Sequence, residues 1–215
     1  MLDISRFNPS QLDAVREVGN ICTGNAATAL SSLLNLKINM SVPEAELVSI
    51  YELTEHYDRH NDPFQIVGAA FVRSTGKFQC SLIFLQPEED ARKMTELLIK
   101  NQFGSAIPYD ELPPEMADSA FGEVGNIVLS SFLNAINMLI GTQHQISVPG
   151  TAHDMLSAVL DVVASIYGQL GETALLINTE LSVEGLSSGG KLSGHIIMLP
   201  DPESLELLLT KLKVV

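Results

Sequence analysis

The chain writes one unit twice, and that repeat limits what it can fold into more than any other feature. Glu17, Gly19 and Asn20 return as Glu123, Gly125 and Asn126, and the same offset of 106 residues carries Ser41-Val42-Pro43 onto Ser147-Val148-Pro149. Farther along, Gly76-Lys77 before "FQCSLIFL" matches Gly190-Lys191 before "LSGHIIML" at an offset of 114, so the second copy has gained eight residues in its middle. Two copies and one insertion describe a duplication, not a solenoid array.

Each copy reads as helix, strand, helix, strand, strand, helix. Asn8-Pro9-Ser10-Gln11 resembles a capped start with proline at the first helical position. The first helix is predicted to run to about Leu34, and its partner from about Glu111 to Leu139. "LKINMSVP" and "TQHQISVP" alternate apolar and polar residues, and both strands are expected to stop at their proline, Pro43 or Pro149, where a ladder donor is missing. A helix is expected around Leu47 to Tyr57. Its longer counterpart, Asp154 to Tyr167, carries Leu156, Val159, Leu160, Val163, Ile166 and Tyr167 on one face and absorbs the insertion. Two strands around a glycine-containing turn follow in each copy, and amphipathic helices at Glu88 to Lys100 and Glu203 to Lys213 close the halves.

Three strands alone expose a sheet edge and a bare face. The halves are therefore expected to share one sheet, giving an α+β fold with pseudo-two-fold symmetry: six strands, and the two long helices packed on one face. The domain is read as single, with halves of about 1–104 and 105–215 joined by the Gly- and Pro-containing connector "NQFGSAIPYDELPPE".

Charge excludes some partners. Twelve Lys and Arg against 26 Asp and Glu leave a net charge of −14, which repels phosphate backbones and anionic membrane surfaces. Hydrophobic content of 46% with 18% charged residues fits a well-packed globular chain. Cys22 and Cys80 stand apart in apolar contexts and read as reduced, buried thiols. No basic region followed by an apolar run opens the chain, and no window offers about 18 uninterrupted apolar residues, so a cytoplasmic location is expected.

Chemistry is concentrated on the long helices. Asp13, Glu17 and Asn20 fall at i, i+4 and i+7, as do Ser119, Glu123 and Asn126, so each helix presents a polar ridge from one face. The remaining faces are small and apolar: Ala14, Val18, Ile21, Cys22, Ala26 and Ala29 in the first helix, Ala120, Val124, Ile127 and Val128 in the second. Gly19 and Gly24, and Gly122 and Gly125, each cost a helix interior about 1 kcal/mol against alanine, which implies that something needs the backbone approachable there. A single Glu and Asn three apart is ordinarily a solvated helix face. Between the copies, however, Asp13 has become Ser119 and Thr23 has become Leu129, while the Glu, Gly, Asn and distant Pro are unchanged.

Other constellations are weaker. His56 and His60, with Asp58 and Asp62 nearby, have metal-ligand spacing but no equivalent in the second half, and read as an exposed helix end. "SSGGK" at Ser187 to Lys191 lacks phosphate-loop spacing and reads as a hairpin loop. No nucleophile triad or cofactor box is identifiable.

The pattern Asp/Ser-xxx-Glu-xx-Asn, then 22 residues, then Pro resembles the signature of the CheC family of chemotaxis phosphatases, whose relatives include CheX and FliY. It occurs as Asp13, Glu17, Asn20, Pro43 and again as Ser119, Glu123, Asn126, Pro149. The resemblance covers nearly the whole chain and implies a hydrolase that acts on the phospho-aspartate of the response regulator CheY, with Mg²⁺ supplied by the regulator and no intrinsic cofactor. In that setting Asn20 and Asn126 suit the positioning of water, since a carboxamide offers both acceptor and donors where a carboxylate would repel the phosphoryl group. Glu17 and Glu123 would pair with the regulator's active-site lysine and set the docking register. Asp13 and Ser119 would either contact the partner at the rim or cap local backbone, and Pro43 and Pro149 would be structural. The resemblance also implies an alternative role as an adaptor for the deamidase CheD, bound through the helix around Asp154 to Tyr167. FliY-like switch proteins carry a further domain after this unit, which makes a switch subunit the less favoured expectation. With two halves in one chain, a monomer is expected.

Overall fold

A computed structural model of the chain describes residues 9–58, 62–168, 173–184 and 191–212. Helix α1 spans Pro9–Leu34, with proline at its start as the sequence predicts; Asn8 lies outside the described residues. Val15, Val18, Cys22, Ala26, Leu30 and Leu34 recur every three or four residues and are all buried, so one stripe of the helix faces the core. The helix ends at Asn35, which takes a left-handed conformation at φ 51°, a geometry asparagine tolerates better than most residues. In the second copy Gly141, at φ 69°, ends α4 (Pro114–Ile140) in the same way.

Strand β1 spans Ile38–Ser49, a 3-10 turn covers Ile50–Glu52, and α2 spans Leu53–Asp58. The hairpin β2 (Ile66–Gly76) and β3 (Cys80–Pro87) leads into α3 (Glu88–Phe103). After α4 come β4 (His144–Ile146), β5 (Gly150–Met155), α5 (Leu156–Tyr167), the second hairpin β6 (Thr173–Val183) and β7 (Lys191–Pro200), and α6 (Pro202–Lys211).

The strands of the described residues join one antiparallel sheet in the order β1-β6-β7-β3-β2-β4, with β5 also paired to β2. Because β4 takes residues 74–76 of β2 and β5 takes residues 66–71, the two segments fill one edge position. Among the described residues, seven strands thus occupy six positions. The halves meet between β3 and β7, where Leu82 pairs with Met198 and Phe84 with Ile196. Each half also lends its first strand to the other half's hairpin: β1 lies on β6, and β4 and β5 lie on β2.

Helices cover both faces, which is why the central strands read as near-continuous apolar runs. Ala70, Val72, Leu82 and Phe84 face the layer of α1, α3, α4 and α6, while Ala69, Ile83, Leu85 and Leu176 face α2 and α5. The long helices α1 and α4 pack against each other within the first layer. By length and composition α4 is apolar enough to cross a membrane, but half of that stretch is buried inside the protein, as in a core helix.

Three sequence expectations need correction. β1 does not stop at Pro43: it runs on to Ser49, with a shift in its pairing to β6 between Ser41 and Glu44 that takes the proline out of the regular ladder. Pro149 does interrupt its strand, yet the chain resumes on the same partner at Gly150. The helix expected from Leu47 begins only after Ser49, because Leu47 and Val48 pair with Leu175 and Ala174 in β1 and β6. Cys22 and Cys80 are buried and free, and burial pushes both thiols well above their usual range. His60 and residues 187–190 of the glycine-rich loop lie outside the described residues. His56 sits 3.9 Å from a Glu46 carboxylate oxygen.

Candidate functional site

The buried stripes of α1 and α4 fix which way the opposite faces point. With Val15, Val18 and Cys22 in the core, Asp13, Glu17 and Asn20 are exposed. With Ala120, Val124 and Val128 in the core, Ser119 and Glu123 are exposed and Asn126 is half-buried. Each helix therefore carries its polar ridge on the side away from the sheet. Ile21, read as part of the packing face, is 37% exposed and borders Asn20.

The helical glycines answer chiefly to the sheet. A Cβ on Gly125 would overlap that of Ala70, so α4 lies on β2 at a separation only glycine permits, and one on Gly122 would come 3.2 Å from Thr151 in β5. Gly19 is looser, with Ile177 at 3.8 Å and Val42 at 3.9 Å, and Gly24 faces open space. Val42 and Thr151 flank the two proline-bearing stretches, so these irregular edge segments lie under the ridge helices.

The ridges differ in their hydrogen bonds. On the first, Thr23 donates its hydroxyl to the carbonyls of Gly19 and Asn20 at 2.9 and 3.1 Å, and among the described residues nothing engages the side chains of Glu17 or Asn20. On the second, Gln102 Nε2 at the end of α3 donates to Glu123 Oε2 at 3.1 Å. Ser130 Oγ donates to Asn126 Oδ1, also at 3.1 Å. Ser130 stands where the first copy has Gly24. Neither Gln102 nor Ser130 was singled out by sequence reasoning. Ser130 was visible as a polar residue one turn beyond Asn126, whereas Gln102 falls in the stretch read as a connector and meets Glu123 only through tertiary packing.

Each ridge offers a carboxylate, a carboxamide and open access from solvent. That set can orient water and form charge-assisted contacts. Among the described residues no three His, Cys, Asp or Glu side chains converge as metal ligands.

Comparison with known proteins shows what the chain is similar to. A model of the CheC-like family matches residues 11–47, the stretch from the start of the first ridge through Pro43. "CheY-P phosphatase CheC" of Bacillus subtilis is 36% identical over 202 residues, covering 94% of this chain and 93% of that protein. Among solved structures, Thermotoga maritima FliY aligns with a TM-score of 0.73 at 19% identity, over 97% of this chain and 98% of that one. A chain of the CheX-CheY-BeF3-Mg complex of Borrelia burgdorferi aligns with a TM-score of 0.51 at 17% identity, over 84% of this chain and 96% of that one. With its repeated Glu-Asn ridges, its α+β fold and a relative of this identity along nearly its full length, the chain belongs to the CheC-like family.

Proposed function

We propose that the protein is a phosphatase that hydrolyses the aspartyl phosphate of a CheY-type response regulator, one regulator docking at each ridge. The observation that carries this reading is the pair of exposed Glu-Asn ridges, Glu17 with Asn20 and Glu123 with Asn126. The name of the Bacillus subtilis relative, CheY-P phosphatase, supports it.

The chemistry asks little of the phosphatase. An acyl phosphate is already activated, and its in-line displacement by water is limited by positioning and charge more than by the strength of a base. Asn20 or Asn126 accepts a hydrogen bond from the attacking water through Oδ1 while Nδ2 donates to a phosphoryl oxygen. Water adds to phosphorus, the bond to the aspartyl oxygen breaks, and the products are inorganic phosphate and the regulator's free carboxylate. Glu17 or Glu123, one turn earlier, forms an ion pair with a lysine of the regulator and fixes the depth at which the helix enters its active site. Mg²⁺ belongs to the regulator. Asp13 and Ser119 lie at the rim. We place the protein in the cytoplasm as a monomer.

Phosphate loss from a phosphorylated regulator, followed with wild type, Asn20→Ala, Asn126→Ala and the double variant, tests this reading. Wild type accelerates the loss, each single variant keeps part of that rate, and the double variant falls to the regulator's own rate. Failure of wild type to accelerate it overturns the proposal.

A second reading, docking of the deamidase CheD, is favoured by one surface. On α5, Val162 and Ile166 are each 53% exposed although Leu156, Val159, Leu160 and Val163 are buried. The Tyr51 hydroxyl donates to the carbonyl of Gly168 beside them. Val162→Asp with Ile166→Asp abolishes capture of CheD under this reading, and capture that survives removes it.

A further inference from the structure

We infer that Ser130 is a positioning residue of the second ridge, holding the Asn126 carboxamide in one orientation for the reaction proposed above, on which this inference rests. Ser130 lies one turn beyond Asn126 on α4 and donates its hydroxyl to Asn126 Oδ1 at 3.1 Å. A carboxamide is planar with oxygen and nitrogen on opposite sides of Cγ, so pinning Oδ1 toward Ser130 sends Nδ2 the other way and suppresses the flip that would exchange them. Oδ1 keeps its second lone pair for a water. Asn126 is also half-buried, whereas Asn20 is exposed.

The first ridge lacks this device. The position equivalent to Ser130 is Gly24, which has no hydroxyl. Thr23, the nearest hydroxyl along the helix, donates to the backbone carbonyls of Gly19 and Asn20 and not to the Asn20 side chain. The two asparagines therefore differ in preorganisation although each follows the same Glu-Val-Gly on its own helix. A group already oriented needs no reordering as the transition state is reached, so the difference belongs in kcat and not in the affinity for the regulator.

Asn20→Ala protein, which retains only the second ridge, is the parent for the test. Its kcat and KM for phosphorylated regulator are compared with those after adding Ser130→Ala or Ser130→Thr. Ser130→Ala lowers kcat by about two- to tenfold, the worth of one neutral hydrogen bond, and leaves KM within about twofold. Ser130→Thr, which keeps the hydroxyl, restores kcat. The converse change is open to the first ridge, because a Cβ on Gly24 would meet nothing within 4 Å. In an Asn126→Ala parent, Gly24→Ser raises kcat by a similar factor. A kcat unmoved by Ser130→Ala, a loss that threonine does not restore, or an Asn20→Ala parent with no activity overturns the inference. Failure of the phosphatase reading itself looks different, since wild type would then leave the regulator's decay unchanged.

Discussion

At the scale of single residues, chemistry and packing sit side by side on the same helices and respond to opposite substitutions. Gly125→Ala drives a methyl group into Ala70 and is expected to destabilise the protein by about 2 kcal/mol, the usual range for overpacking. Gly19→Ala, at the equivalent position, makes only ordinary contacts with Ile177 and Val42 and is expected to stabilise by up to about 1 kcal/mol through helix propensity. Urea denaturation of the two variants checks both signs. His195 on β7 gives a different handle. Its Nδ1 lies 2.8 Å from Asn178 Oδ1 and its ring packs edge-on to Tyr57, and burial lowers its pKa below the ordinary 6.5. Above that value both folded and unfolded states carry a neutral ring, and the contribution to stability is complete. As pH falls below it, the unfolded chain takes up a proton that the folded one resists, and stability is lost. The fall in melting temperature from pH 7 to pH 5 should therefore be shallower in His195→Gln than in wild type.

At the scale of elements, what could be read in the sequence depended on whether the cause was local. The helices α1 and α4 were legible to within a few residues, because apolar periodicity and a start signal such as Pro9 act over one or two turns. The ridges were legible for the same reason: spacings of four and three put the side chains on one face wherever the helix goes. Pro43 misled, since a missing donor reads as a stop. Only the pairing of Glu44 to Ser49 with β6, more than 120 residues away, shows that the strand has enough partners to continue. The contact from α3 to α4 was likewise hidden, because nothing in the connector points Gln102 at Glu123. That hydrogen bond is exposed, so Gln102→Ala should change stability by no more than about 0.5 kcal/mol. It frees the Glu123 carboxylate to sample other rotamers, and in Asn20→Ala protein it should raise KM for phosphorylated regulator while leaving kcat nearly unchanged.

At the scale of the whole molecule, the exchanged edge strands decide how the chain can come apart. Arg73 on β2 ties the halves further, donating to both Asp201 oxygens at 2.9 and 2.8 Å and exchanging backbone and hydroxyl hydrogen bonds with Ser147. Separated between Gly104 and Ser105, either half retains a hairpin, β2 with β3 or β6 with β7, and a first strand whose partner has gone. Neither fragment is expected to show a cooperative thermal transition alone. Mixing the two should restore one, and the intact chain should unfold in a single step by circular dichroism. This exchange also sets the terms on which the two ridges can diverge. One half could complete such a sheet only by pairing with an identical copy, and identical copies carry identical ridges, so any change would appear at both sites at once. Fusing the copies into one chain breaks that bond. A serine can then be fixed at position 130 while glycine remains at position 24, so that one molecule carries one asparagine braced by a hydroxyl and one without it.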